Sequence, residues 1–322
     1  MPTLRYTVPP EKDGAPVRHI LKSELHFSAR AISRLTRTEG GILRNGQPVR
    51  TVDLLHTGDE LSVLSSDLRP AREQPLPCDT PLPIVWEDEH LLVVNKPAGM
   101  VAMVSSFYPE TPTVAGALAY QRRESGIFHV VNRLDKGTTG LMAVAKSGYI
   151  HNLLRRSLHT DGFQREYRGI CLGCPEPKSG LIDLPIGRDE RSTVKRMIRP
   201  DGAPSRSRYE VLEEGNGLAL LRLLPETGRT HQLRLHLSAI GHSLAGDWLY
   251  GTEDPDLIPR PALHSCALRL RHPVTGELLT LTAPLPEDMQ RLLAPKCPTS
   301  VRLCRRDGLA PPGETCYPDA TR

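Results

Sequence analysis

The chain lacks what a membrane-spanning or exported protein needs. No apolar run approaches the ~20 residues that cross a bilayer. The opening residues, Met1-Pro2-Thr3-Leu4-Arg5, lack the basic stretch and apolar core of a signal peptide. Seven cysteines are an odd number, which argues against a disulfide framework and for a reducing compartment. A cytoplasmic protein with no membrane partner is expected. There is also no Gly-x-x-x-x-Gly-Lys phosphate loop, no convincing dinucleotide fingerprint and no His-Glu-x-x-His pair. Cys171-Leu172-Gly173-Cys174 has metal-ligand spacing, but a structural zinc site needs four ligands and no second such pair exists. Neither a metal nor a cofactor is expected, and no internal repeat is visible.

What is present is a chain of 322 residues, enough for about two domains with a buried core. Lys and Arg total 41 against 37 acidic residues, a net charge of +4 that permits a polyanionic partner without requiring one. Local clustering says more. Arg30, Arg34, Arg37 and Arg44 lie close together, as do Arg188, Arg191, Lys195, Arg196, Arg199, Arg206 and Arg208. Such clusters neutralise phosphates, or else form solvated surfaces with acidic neighbours.

Residues 1–15, with Pro9, Pro10 and Gly14, read as a leader. From Val17 to Leu64 the spacing of Leu21, Leu25, Ala31, Ile32 and Leu35 predicts two short helices, the second capped by Ser28. Asn45-Gly46 between apolar residues predicts a hairpin. Two basic helices followed by a hairpin, with Gly40-Gly41-Ile42, Pro48-Val49 and Gly58-Asp59, resemble the αL RNA-binding module of ribosomal proteins and RNA-modifying enzymes. That places an RNA-binding domain over 16–66, with Arg30, Arg34 and Arg37 on one helical face. Prolines at 70, 75, 77, 81 and 83 predict an extended linker over 67–82. A larger unit runs over 83–293, and the polar, proline-bearing tail 294–322 is expected to be disordered. Within the larger unit strands and helices do not alternate regularly, which predicts an α+β fold.

Two segments of that unit invite chemistry. Asn132-Arg133-Leu134-Asp135-Lys136-Gly137-Thr138-Thr139-Gly140 sits between apolar runs. In an extended entry Arg133 and Asp135 share one face and Leu134 takes the other. By itself this reads better as a weak surface ion pair. Glu226 to His236 then opens a helix directly after a strand, with Thr227 or Thr230 as candidate caps. Leu233, Leu237 and Ile240 form the core stripe, which leaves Arg234 at its edge, within reach of a buried carboxylate. Tyr167, in Arg165-Glu166-Tyr167-Arg168, lies on a predicted strand.

Together these segments resemble the RluA family of RNA pseudouridine synthases. The supporting motifs are Asn95-Lys96-Pro97-Ala98-Gly99, the Asn132–Gly140 loop, Glu166-Tyr167-Arg168, Gly180 to Arg188, and Thr227 to His236 continuing through Gly246-Asp247 and Leu249-Tyr250-Gly251. They occur in the family's order over roughly 82–285. Asn132 stands where histidine is usual, and Val101-Ala102-Met103 replaces a usual His-Pro. The resemblance implies a pseudouridine synthase fold with a mixed, largely antiparallel central sheet. It implies a cofactor-free isomerase acting on ribosomal or transfer RNA, with ribosomal RNA favoured by the αL module. A monomer is expected. Asp135 is then the essential carboxylate, kept ionised by a neighbouring cation, Arg234, against desolvation. Tyr167 stacks on the uracil, and Arg133 fills the space the flipped base vacates. Arg229, Thr230, His231 and Gln232 join the RNA contacts. The alternative is a non-catalytic RNA-binding or ribosome-assembly protein on the same fold, favoured only by Asn132.

Overall fold

The computed structural model describes residues 3–65, 76–103, 110–122, 128–158 and 160–294. The N-terminal part contains β1 (Thr3–Thr7), α1 (Val17–Ser23), α2 (Ala29–Leu35), β2 (Ile42–Arg44), β3 (Gln47–Pro48) and β4 (Glu60–Leu64). Its four strands form one sheet in the order β1-β4-β2-β3. Ser28 caps α2 by accepting from the Ala31 N–H at 3.2 Å. Asn45 and Gly46 both take positive φ, at 50° and 80°, the conformation of the tight turn that closes β2 onto β3.

Residues 3–15 are not a leader. β1 pairs antiparallel with β4 from Thr3↔Leu64 to Thr7↔Glu60. The physical reason is the alternation Leu4, Tyr6, Val8, whose even positions face a core containing Val17, Ile20, Leu21, Leu55 and Leu61. Pro9 and Pro10 end the strand; they do not prevent it. The linker also needs correction. Positions 67–75 lie outside the described residues, but Cys78 N–H donates to Gly116 O at 3.2 Å and Leu82 is buried, so 76–82 packs on the larger unit. The expected disordered tail beyond 294 lies outside the described residues.

The larger unit begins with the hairpin β5 (Ile84–Glu87) and β6 (Leu91–Lys96), then α3 (Val114–Arg122) and β7 (His129–Val130). It continues through β8 (Thr139–Ala145), α4 (Gly148–Ser157), β9 (Phe163–Leu172) and β10 (Ser179–Asp183). A small hairpin follows, β11 (Ile186–Arg188) and β12 (Arg196–Ile198). The remaining elements are β13 (Arg206–Gly215), β14 (Leu218–Pro225), α5 (Gln232–Ala239), β15 (Leu263–Arg271), β16 (Leu278–Thr282) and α6 (Glu287–Leu293). Ten strands form one sheet, ordered β10-β13-β14-β9-β15-β8-β6-β5, with β16 added to β15 and β7 to β8. Every pairing is antiparallel except β15 with β8. The expected α+β, mixed and largely antiparallel sheet is therefore what the chain forms.

That single parallel pair positions the site. Two strands that run parallel side by side receive their preceding loops at the same sheet edge. Here those loops are 131–138 before β8 and 259–262 before β15. Ser265 pairs with Gly140 on one side and with Tyr167 on the other. Gly140 is required at this crossing: a Cβ there would meet Ser265 O at 2.2 Å. One row across the sheet thus brings the end of the Asp135 loop beside Tyr167.

Candidate active site

A cleft of about 1640 Å³ opens at this edge, lined by the 131–138 loop, Tyr167, the 227–234 segment and part of the β11–β12 hairpin. The loop alternates as its sequence suggests. Leu134 is buried in the main core, Arg133 is exposed, and Asp135 is half-buried on the cleft wall. Asn132 is buried and its Oδ1 accepts the Ala143 N–H at 2.8 Å, which ties the loop to β8. Thr138 N–H donates to Asp135 O at 3.1 Å, closing a turn behind the carboxylate.

Lys96 supports the loop from below. It is fully buried, and its Nζ donates to Pro97 O and Met100 O at 2.8 Å each and to Lys136 O at 3.4 Å. Burial pulls its pKa down to about 7, with Asp135's charge opposing and Arg260's adding. Arg260, paired with Asp288 at 2.7 and 2.8 Å, also donates to Gly137 O at 3.2 Å. The main chain on the C-terminal side of Asp135 is therefore gripped by two buried basic side chains.

Arg234 Nη1 stands 3.5 Å from Asp135 Oδ2. Its other two nitrogens are occupied: Nε donates to Asp247 Oδ2 at 2.8 Å and Nη2 to Asp247 Oδ1 at 2.6 Å. Burial alone would lower the Arg234 pKa, but the hydrogen bonds and charge of Asp247, with Asp135 behind, raise it on balance. The Tyr250 ring lies against the guanidinium, 5.4 Å from Cζ to the ring centroid. Tyr167 is almost wholly buried at the base of the cleft, and burial raises its phenol above the ordinary range, so it stays protonated at neutral pH.

Asp135, Arg234 and Tyr167 thus converge on one cleft, as do Arg133, Arg229, Thr230 and His231. Several expectations change. Gln232 lines the cleft but is buried, accepting from Thr227 Oγ1 and Arg229 N–H and donating to Arg206 O and Ser207 Oγ. Its amide holds the loop together and has no capacity left for RNA. Neither Thr227 nor Thr230 caps α5; His231 occupies the N-cap in left-handed conformation, φ 60°, without a side-chain cap bond. Arg30 and Arg34 are exposed on α2, whereas Arg37 lies beyond its end, in the following turn. In the second basic cluster Arg199, Arg206 and Arg208 are ion-paired with acidic neighbours, the plainer alternative, while Arg188 and Arg196 line the cleft.

Asp247 and Tyr250 were visible as motif members but carried no expected role. Nothing local marks Asp247 as the partner of Arg234. A fully buried aspartate opposite a helix is a tertiary fact.

The ten-stranded mixed sheet belongs to a class of RNA-modifying isomerases, as comparison with known proteins shows. A family model described as RNA pseudouridylate synthase matches residues 90–239. The RNA pseudouridine synthase YjbO of Bacillus subtilis, itself uncharacterised, is 35% identical over 84% of this chain and 95% of its own length. The ribosomal large subunit pseudouridine synthase D of Pseudomonas aeruginosa is 38% identical over 80% and 84%. Among solved structures, human RNA pseudouridylate synthase domain containing 1 matches with a TM-score of 0.53 and 28% identity, over 63% of this chain and 83% of that one. The chain belongs to the RluA-type family of RNA pseudouridine synthases, isomerases of uridine in RNA. Among the described residues no helix is long and apolar enough to cross a membrane.

Proposed function

We propose that this chain converts specific uridines of ribosomal RNA to pseudouridine, with Asp135 as the essential carboxylate and the target base flipped into the cleft. The observation that carries this is the convergence of Asp135, the Arg234 guanidinium and the buried Tyr167 on one cavity. In the reaction the bond from C1′ of the ribose to N1 of uracil breaks. The base rotates, C5 bonds to C1′, the C5 proton leaves and N1 takes up a proton. Asp135 acts on the ribose or on the base, and either route requires its ionised form. Arg234 fixes the carboxylate in place, while Tyr167 stacks on the uracil as a protonated phenol. Arg133, exposed beside Asp135, fills the gap in the RNA stack. Asn132, the feature that favoured a non-catalytic binder, ties the loop to β8 and leaves the reacting groups intact.

The N-terminal part is proposed as a second RNA grip. The Phe27 ring stacks on Tyr149 of α4, 4.2 Å between centroids, and Asn152 Nδ2 donates to His26 O at 3.4 Å. The same helix supplies His151 and Arg155 to the cleft. Arg30, three residues past Phe27, therefore begins a basic surface mounted on the helix that walls the site. The preference for ribosomal over transfer RNA rests on this module and on the likeness to the Pseudomonas ribosomal large subunit pseudouridine synthase D.

The test is to map pseudouridines in total RNA from cells with the gene, without it, and with Asp135→Ala. Sites in ribosomal RNA that vanish in both altered strains are expected. Loss confined to transfer RNA overturns the substrate assignment, and retention in Asp135→Ala overturns the role of the carboxylate.

A further inference from the structure

The chain has two tryptophans. Trp86 is partly buried against the core on the far hairpin, edge-on to His272. Trp248 is different: it is 52% exposed and lines the cleft. Single exposed apolar side chains are normal and by themselves mean nothing. Three observations set this one apart. First, among the described residues only Trp248 and Met103 of the large exposed apolar side chains line the cleft, and Trp248 is the aromatic one. Second, basic side chains line the same cleft: Arg188 and Arg196 on the small hairpin and Arg229 before α5. Third, its backbone is fixed. Asp247 Oδ1 accepts the N–H groups of Leu249 and Tyr250 at 3.1 and 3.2 Å, and Gly251 N–H donates to Asp247 O at 2.8 Å. The same Asp247 clamps Arg234, so the indole is mounted one residue from the carboxylate that fixes the partner of Asp135.

We infer that Trp248 is a stacking platform for an unpaired nucleobase of the RNA substrate other than the uridine being isomerised. The inference rests on the function proposed above. A tryptophan face accepts any base, needs the base to be unstacked from its own helix, and adds affinity without sequence readout. The surrounding guanidiniums match the phosphates that accompany such a base. A rigid mount means little conformational freedom is lost when the base lands. Protein docking is the other use of an exposed indole, but a cleft lined by arginines that also holds the reacting carboxylate favours nucleic acid. The platform makes the enzyme require a single-stranded nucleotide near its target.

The test uses full-length protein carrying Trp86→Phe, so that Trp248 is the only indole. It is titrated with single-stranded oligoadenylate and with a fully paired RNA duplex of equal length. Indole fluorescence is expected to be quenched saturably by the single strand and far less by the duplex. Trp248→Ala is expected to weaken single-strand binding about 5- to 100-fold, and Trp248→Phe to recover most of it. On the RNA in which pseudouridine is mapped, Trp248→Ala is expected to raise KM with kcat kept within a few-fold. Unchanged fluorescence, or single-strand affinity unchanged in Trp248→Ala, overturns the platform. Wild-type protein that forms no pseudouridine overturns the proposed function instead, and does so whatever the fluorescence shows.

Discussion

Asp247 takes two of the three nitrogens of Arg234 and leaves the third for Asp135. The bidentate bonds of 2.8 and 2.6 Å fix the plane of the guanidinium, and Nη1 then stands 3.5 Å from Asp135 Oδ2. One buried cation thus serves two carboxylates of different kind. Asp247 is wholly buried and structural, whereas Asp135 faces the cleft.

Asp247→Asn keeps the side-chain shape and removes the charge. The fold then buries a guanidinium whose closest counter-charge is gone, which costs on the order of 3 kcal/mol. Urea denaturation should show that loss, and tritium release from uridine labelled at C5 should fall with it. Arg234→Lys is the sharper variant. It keeps the charge but cannot make two parallel bonds to Asp247. Its turnover is expected to drop about tenfold or more while RNA affinity stays within about twofold, because Arg234 acts on Asp135 and not on phosphate. Equal loss of affinity and turnover would contradict that role.

The Tyr250 hydroxyl joins the small basic hairpin to the site. It accepts the Arg196 N–H at 2.8 Å and meets His231 Nδ1 at 3.0 Å, while Lys195 Nζ lies 5.9 Å from its ring centroid. His231 is lowered by burial, which suits an imidazole that accepts the Tyr250 proton. Tyr250→Phe removes only the hydroxyl. Limited trypsin cleavage after Lys195 and Arg196 should accelerate, KM for RNA should rise, and kcat should change little because the ring still covers Arg234. A wild-type cleavage rate would show that the hydroxyl holds nothing.

His264 sits on β15 opposite Thr139, at the parallel crossing. Its Nδ1 is 2.8 Å from Thr139 Oγ1 and its Nε2 faces Ala283 O at 3.4 Å, both inside the protein. Burial lowers its pKa to about 4, with Arg260 adding and the Ala283 carbonyl opposing. The unfolded chain therefore takes up a proton near pH 6.5, and the folded one does not until about pH 4. Its contribution is fully present above pH 6.5 and is lost as pH falls through that window, by up to about 3 kcal/mol. Denaturation midpoints measured from pH 7 to pH 4 should fall more steeply in wild type than in His264→Gln. Parallel curves would remove His264 as the cause.

Arg30, Arg34 and Arg37 are exposed and form no ion pair among the described residues. Replacing all three by Ala should weaken RNA binding and flatten the dependence of log affinity on log salt by roughly two units. Single-turnover rate at saturating RNA should not change. An unaltered slope would mean that this surface does not meet phosphate.

Local chemistry was legible where it depends on neighbours in sequence. The Asn45-Gly46 turn and the Ser28 cap follow from conformational preference, and the structure places them as expected. β1 was legible too, in the alternation of Leu4, Tyr6 and Val8, but the prolines that follow hid it. Asp135, Arg234 and Tyr167 were nameable because each sits in a distinctive segment. That Gln232 is consumed internally, that Thr227 does not cap α5, and that Asp247 clamps Arg234 could not be read that way. Each depends on which polar groups meet across elements after the chain has folded.

The sequence by itself determined local turns, the Ser28 cap and the segments that carry Asp135, Arg234 and Tyr167, because backbone preference and apolar periodicity act over a few residues. Only the tertiary structure decided that β8 and β15 run parallel, that Lys96 and Arg260 grip the loop beside Asp135, and that one arginine is shared by two aspartates. Those are contacts between distant segments, and a buried charge must find whichever partner the packed core brings to it.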